Sequence, residues 1–130
     1  MRRQVQSTPT MGAAIDYRMA KKALLREVRR GRVSLFDVCD AHPELLRAAR
    51  HIGTETSDVC PICEKAQLRV VLYTYGKSLK RRNGAVSRSQ DLRELRSIFD
   101  EFTCYVVEVC TECNWNHLVR SFVTGRRHAG

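Results

Sequence analysis

Two C-x-x-C pairs, Cys60-Pro61-Ile62-Cys63 and Cys110-Thr111-Glu112-Cys113, constrain this chain more than anything else in it. Each pair can turn the backbone around one point, and together they offer four thiolates, the set that holds a tetrahedral ion at about 2.3 Å. Neither pair completes such a site alone. The first pair precedes a stretch that alternates like a strand, and the second follows another. No apolar run approaches the roughly 20 residues of a membrane span, and Met1-Arg2-Arg3 is not followed by the apolar stretch of a secretory signal. The chain is therefore read as soluble and cytoplasmic, where six cysteines serve as metal ligands or buried thiols rather than disulfides.

Rival chemistries fit less well. A thioredoxin-like dithiol opens a helix after a strand, whereas Cys60 stands before a strand. Two disulfides would need an oxidising compartment. A four-thiolate site leaves no open ligand position, and there is no nearby Glu-His pair of the catalytic zinc type. No base stands at a recognisable spacing from any cysteine. The expectation is one structural zinc on Cys60, Cys63, Cys110 and Cys113, and no enzymatic activity. Cys39 and Cys104 are expected to be single buried thiols. The alternatives are Cys39-Asp40-Ala41-His42, which has ligand-like spacing, and a second site joining Cys104 to His51 or His117. His117 could also replace a ligand, although a place on the sheet suits it better.

The pattern along the chain predicts an α+β fold, with a helical module followed by a small antiparallel β module. Residues 1–12 hold little to bury and read as a flexible arm. Helical spacing over Ala13 to Arg30 puts Ala13, Tyr17, Ala20, Leu24 and Val28 on one face and Arg18, Lys22, Arg26 and Arg29 opposite. Gly31 ends that helix, Ser34 caps a short second one, and Pro43 opens a third that Gly53 closes. The helical module spans 13–57 and ends in the polar break Gly53 to Ser57. The β module spans 58–125, and a basic tail covers 126–130. Strands are expected from Leu68 to Tyr73, Thr103 to Val109 and His117 to Val123. A helix is expected from Gln90 to Phe102, with Ser87 or Ser89 as its cap.

"CPIC" and "CTEC" resemble the knuckles of the zinc-ribbon family, in which two cysteine turns at one end of a small antiparallel sheet clamp one zinc. The resemblance covers about Val59 to Thr124, with the 46 residues between the pairs enlarged by an inserted loop and helix. Such ribbons often place glycine after each knuckle, where the backbone turns left-handed. Here Glu64 and Asn114 stand there, so Glu64 is expected to be strained or to adopt a variant turn. Over nearly its full length, with "CDAHPELLRAARHIG", "VCPIC" and "VCTECNWNHLVRSF", the chain resembles a family of small actinobacterial proteins of unknown function. "LLREVRRGRVSLFDV" is similar to the helical DNA-binding segment of actinobacterial integration host factor at Gly31, Arg32, Ser34, Leu35 and Val38, and it departs from that pattern over Cys39 to Ile52.

With chemistry set aside, charge points to binding. Lys and Arg number 23 against 14 Asp and Glu, a net +9 shared between both halves. The loop Gly76 to Ser89 carries Lys77, Lys80, Arg81, Arg82 and Arg88 without one acid. With the basic face of the first helix, and Arg126-Arg127, it is expected to contact phosphates, and Tyr73, Tyr75, Tyr105 and Trp115 could offer stacking faces. The expected role is a nucleic-acid-associated accessory protein of the transcription or translation type. The alternative is an adaptor that docks through its sheet and the acidic stretch Gln90 to Glu112 on a large assembly such as RNA polymerase or the ribosome. A third reading, a zinc switch opened by oxidation, ranks below both.

Overall fold

The computed structural model describes residues 14–126 and shows an α+β protein built on one six-stranded antiparallel sheet. The elements in chain order are β1 (Ala14–Asp16), α1 (Arg18–Arg29), α2 (Leu35–Val38), α3 (Pro43–Ile52), β2 (Thr54–Val59), β3 (Gln67–Tyr75), β4 (Ala85–Ser87), α4 (Leu92–Ile98), β5 (Phe102–Val109) and β6 (Asn116–Thr124). The sheet runs β1-β6-β5-β3-β2, and β4 shares the outer edge of β3 with β2. Two hairpins therefore lie side by side, β2 with β3 and β5 with β6. The Cys60 turn joins the first pair and the Cys110 turn the second, so both turns fall at the same end of the sheet.

Helices cover the sheet on both faces, because alternate residues of β3 and β5 are apolar in both directions. Leu25 of α1 and Val38 of α2 pack with Leu68, Trp115, Cys60 and Cys110 at the cysteine end. Ala49 of α3 packs with Val71 and Val109 on the other face. Leu72, Cys104, Val106 and Phe122 form a third cluster, and Leu79, Leu95 and Phe102 close the far end. The termini of the helices follow local chemistry. The Ser34 hydroxyl accepts from Phe36 N at 3.1 Å, Pro43 occupies the first turn of α3, and Gly31 follows α1 with φ +76°.

Several elements differ from the sequence reading, each for a physical reason. Ala14–Asp16, expected to open the first helix, is instead an edge strand on β6. Asp16 then accepts from Arg18 N at 2.8 Å, which starts α1 two residues later. The buried stripe of α1 is rotated from the expected one: Ala20 is exposed, while Lys21 and Leu25 face the sheet. The cause is a carboxylate beneath the helix. Glu108 of β5 is buried, and its Oε2 receives both Lys21 Nζ at 2.6 Å and Trp115 Nε1 at 2.9 Å. The expected polar break contributes to strand β2, and the loop contains a 3₁₀ turn over Lys77–Arg82 as well as β4. The helix expected to reach Phe102 stops at Ile98, since Phe102 is the first residue of β5 and is 1% exposed. The expected arm, Ala13 and residues 127–130 lie outside the described residues.

Candidate metal centre

Each cysteine turn is built the same way. In the first, Cys60 N donates to Ala66 O at 2.8 Å and Glu64 N to Cys60 O at 3.0 Å; in the second, Cys110 N donates to Trp115 O at 2.8 Å and Asn114 N to Cys110 O at 3.0 Å. The residue after each pair takes the left-handed conformation, Glu64 at φ 57° and Asn114 at φ 73°. Asn tolerates this region, whereas Glu64 carries the usual left-handed cost of a side chain, roughly 1–2 kcal/mol. Amides point at sulfur in both turns: Ile62 N lies 3.4 Å from Cys60 Sγ, and Cys113 N lies 3.4 Å from Cys110 Sγ.

The four sulfurs of Cys60, Cys63, Cys110 and Cys113 all lie within 4.8 Å of one another and could hold one metal ion. Across the two turns, Cys60 Sγ is 3.6 Å from Cys113 Sγ, and Cys63 Sγ is 3.7 Å from Cys110 Sγ. An ion 2.3 Å from each of four sulfurs at tetrahedral angles sets neighbouring sulfurs about 3.8 Å apart, which these two separations match. A disulfide would need about 2.05 Å. Burial pushes the Cys60 thiol up to about 12 and the Cys113 thiol up to about 11. The amides of Ala66 and Lys65 bring Cys63 down to about 7. Thiols ligate a metal as thiolates, so an ion bound here would displace protons.

The cover over this site ties the N-terminal helices to the cysteines. Trp115, 0% exposed, links the second turn to Glu108 and through it to Lys21 of α1. The His117 ring stacks on Trp115 with centroids 5.7 Å apart, outside the four-sulfur group. His42 is occupied as the cap of α3, where its Nδ1 accepts from Glu44 N at 3.0 Å. Cys104 lies buried between Leu72 and Phe122, with its thiol pushed up to about 12 by burial, and no second metal cluster occurs among the described residues.

Sequence reasoning missed the place of Cys39. Its Sγ lies 4.0 Å from Cys113 Sγ at the rim of the site. The adjoining residues are stitched to the second turn, with Ala41 N donating to Asn114 O at 3.0 Å and the Asn116 side-chain Nδ2 to the Asp40 carboxylate Oδ1 at 2.9 Å. Only the ligand-like spacing of Cys39 and His42 hinted at this, and it named the wrong partner.

The basic residues fall in two places. Lys77, Lys80, Arg81 and Arg82 sit beyond the far end of β3, whose nine residues at about 3.3 Å each set them about 30 Å from the cysteines. All four are exposed, as is Arg88 just after β4, and none of the five makes an ion pair among the described residues. Arg82 lies over the Phe99 ring at 6.0 Å. On α1, Lys22, Arg26 and Arg29 are also exposed and make no ion pair among the described residues, whereas Arg18 is engaged with Asp16 at 2.8 Å. The structure does not bring the α1 face and the loop together, since α1 packs toward the cysteine end. Arg126 pairs with Asp100, and Arg127 is outside the described residues.

The aromatics divide similarly. Trp115 belongs to the core, and Tyr73 packs in the cluster beneath α3. Tyr75 is 46% exposed at the loop end of β3 and meets Tyr105 edge-on at 5.6 Å.

The profile of a family described as being of unknown function, DUF5318, matches residues 9–130. Uncharacterized proteins of Mycobacterium bovis and Mycobacterium tuberculosis are each 44% identical to this chain over 111 residues, which is 85% of this chain and 81% of the relative. No solved structure matches it significantly. No helix among the described residues is long and apolar enough to cross a membrane.

Proposed function

We propose, for a chain that belongs to the DUF5318 family of unknown function, a non-enzymatic zinc-ribbon accessory protein that binds nucleic acid at the end of its sheet away from the metal. The ribbon reading rests on two hairpins whose cysteine turns face one another, and four thiolates in this spacing suit one structural zinc. The observation that carries the binding role is a set of exposed cations without an ion pair among the described residues, Lys77, Lys80, Arg81 and Arg82, next to the exposed ring of Tyr75. Cations supply phosphate affinity, and an aromatic face supplies sequence-tolerant stacking.

The loop is pre-shaped for this. Leu79 is 2% exposed beneath Leu95 and Phe102, Gly76 N donates to Asn83 Oδ1 at 2.8 Å, and Gly84 N donates to Thr74 O at 2.6 Å. Lys80 adopts φ 51°, ψ −112°, a conformation that costs a side chain about 1–3 kcal/mol and that the surrounding contacts impose. Lys80→Gly is therefore expected to raise thermal stability, by about 1 kcal/mol, while weakening nucleic-acid binding. Thermal melts and fluorescence anisotropy on the same preparation test the pairing of these two effects.

An adaptor role is the second reading. Phe36 is 89% exposed and the adjacent Leu35 52% exposed on α2, and a pair of apolar side chains presented this way suits a protein partner such as a polymerase or ribosomal subunit. Purifying the tagged protein from its native lysate with and without nuclease separates the two. Nucleic acid that co-purifies, with protein partners lost on nuclease treatment, is the result expected. A protein partner that survives nuclease and is lost in Phe36→Asp would transfer the function to α2.

A further inference from the structure

Five of the six cysteines, not four, gather at the knuckle end. Cys39 lies outside the set of mutually close sulfurs, so it keeps a free thiol when the other four hold an ion. Its neighbours Asp40 and Ala41 are fastened to Asn116 and Asn114, which places Cys39 beside Cys113 through contacts that do not involve either thiol. Both residues are partly exposed, so a small oxidant reaches them. Cys39 caps the four-residue helix α2, its N–H donating to Leu35 O at 2.8 Å, and its φ −103° and ψ 58° already lie outside the helical region. A modest side-chain and backbone shift closes 4.0 Å to the roughly 2.05 Å of a disulfide.

We propose that Cys39 and Cys113 are a site of reversible oxidation by hydroperoxides, forming a disulfide that removes one sulfur from the metal centre. The thiolate of one cysteine attacks the peroxide oxygen, which gives a sulfenic acid and one water. The second thiol then displaces the sulfenic hydroxyl to form the S–S bond and a second water. Two thiols lose two electrons and two protons, and one hydrogen peroxide is reduced to two waters. A dithiol reductant reverses the step by exchange.

The inference rests on the metal reading and is independent of nucleic-acid binding. The test uses the full chain loaded with zinc, as wild type, Cys39→Ala and Cys39→Ser, each first shown to bind one equivalent of metal. Absence of metal in the wild type would remove the centre itself and so would be told apart from failure of the Cys39 step. Hydrogen peroxide is added, zinc release is followed with a chromogenic chelator, and the disulfides are mapped by mass spectrometry of digested protein. The expected results are a peptide pair joined through Cys39 and Cys113 in the wild type, several-fold slower zinc release in both variants, and recovery of metal binding by the wild type after dithiothreitol. Release at an unchanged rate in the variants, or a first disulfide that excludes Cys39, overturns the proposal.

Discussion

Cys110→Ser is expected to abolish stoichiometric metal binding and, with it, the cooperative thermal transition of the protein. Cys110 is fully buried, sits at the junction of β5 with the second turn, and has its sulfur within reach of the other three. A structural zinc contributes an apparent 10–16 kcal/mol of binding energy that is also folding energy, roughly 10–16 kcal/mol against the 5–15 kcal/mol by which a domain is stable. Its loss also releases the cover, because Leu25 and Val38 share one buried cluster with Cys60 and Cys110. Metal analysis by mass spectrometry and a circular-dichroism melt read both effects. Cys104→Ala is the contrasting variant: it lies in a separate cluster and is expected to keep its metal. Strong chelation of the wild type at elevated temperature should reproduce the Cys110→Ser melt.

Trp115→Ala is expected to cost about 3–5 kcal/mol, the range for removing a large aromatic from a core. Trp115 is the largest fully buried side chain, and its removal also takes a donor from buried Glu108, leaving that carboxylate to Lys21 alone. The loss should appear first as faster metal exchange, since the residue spans the second cysteine turn and α1. Trp115→Phe restores the ring without the N–H and is expected to recover most of the packing while keeping a deficit of about 1–3 kcal/mol from the lost hydrogen bond to Glu108 Oε2, which Lys21 still contacts. Chemical denaturation of the two variants separates these contributions. Equal losses in both would place the whole effect in the hydrogen bond.

How far this could be read from the chain depends on whether the signal is local. The two cysteine turns, the cap at Ser34, the start at Pro43 and the three longest strands each follow from neighbours in sequence, and the structure has them. Strand β2 carries Thr-Glu-Thr-Ser-Asp-Val with mostly exposed side chains, because it lies at a sheet edge, so no alternation announces it. β1 is three residues long and merges with the helical period of α1. The rotation of α1 was out of reach for another reason: Lys21 turns inward only because Glu108, 87 residues on, lies beneath it in the folded chain. Cys39 is the same kind of case, placed beside Cys113 by the backbone bond of Ala41 to Asn114 and the side-chain bond of Asp40 to Asn116, which no spacing encodes. The basic loop stood out as composition, but its shape depends on Leu79 anchoring into the core and on the strained Lys80.

Under the proposed function the two ends of the sheet have different tasks, metal at one and phosphate contact at the other. The most direct test is the salt dependence of binding by the zinc-loaded protein to single-stranded and duplex nucleic acid. It is compared with a variant in which Lys77, Lys80, Arg81, Arg82 and Arg88 are replaced by Ala. If all five cations neutralise phosphates, the logarithm of the affinity should fall with the logarithm of salt at a slope of about −3.5 for single strands and about −4.5 for duplex, and the variant should lose most of that slope. Tight binding with the same slope in the variant, or no measurable binding by the wild type at low salt, would contradict the assignment of the loop as a nucleic-acid interface.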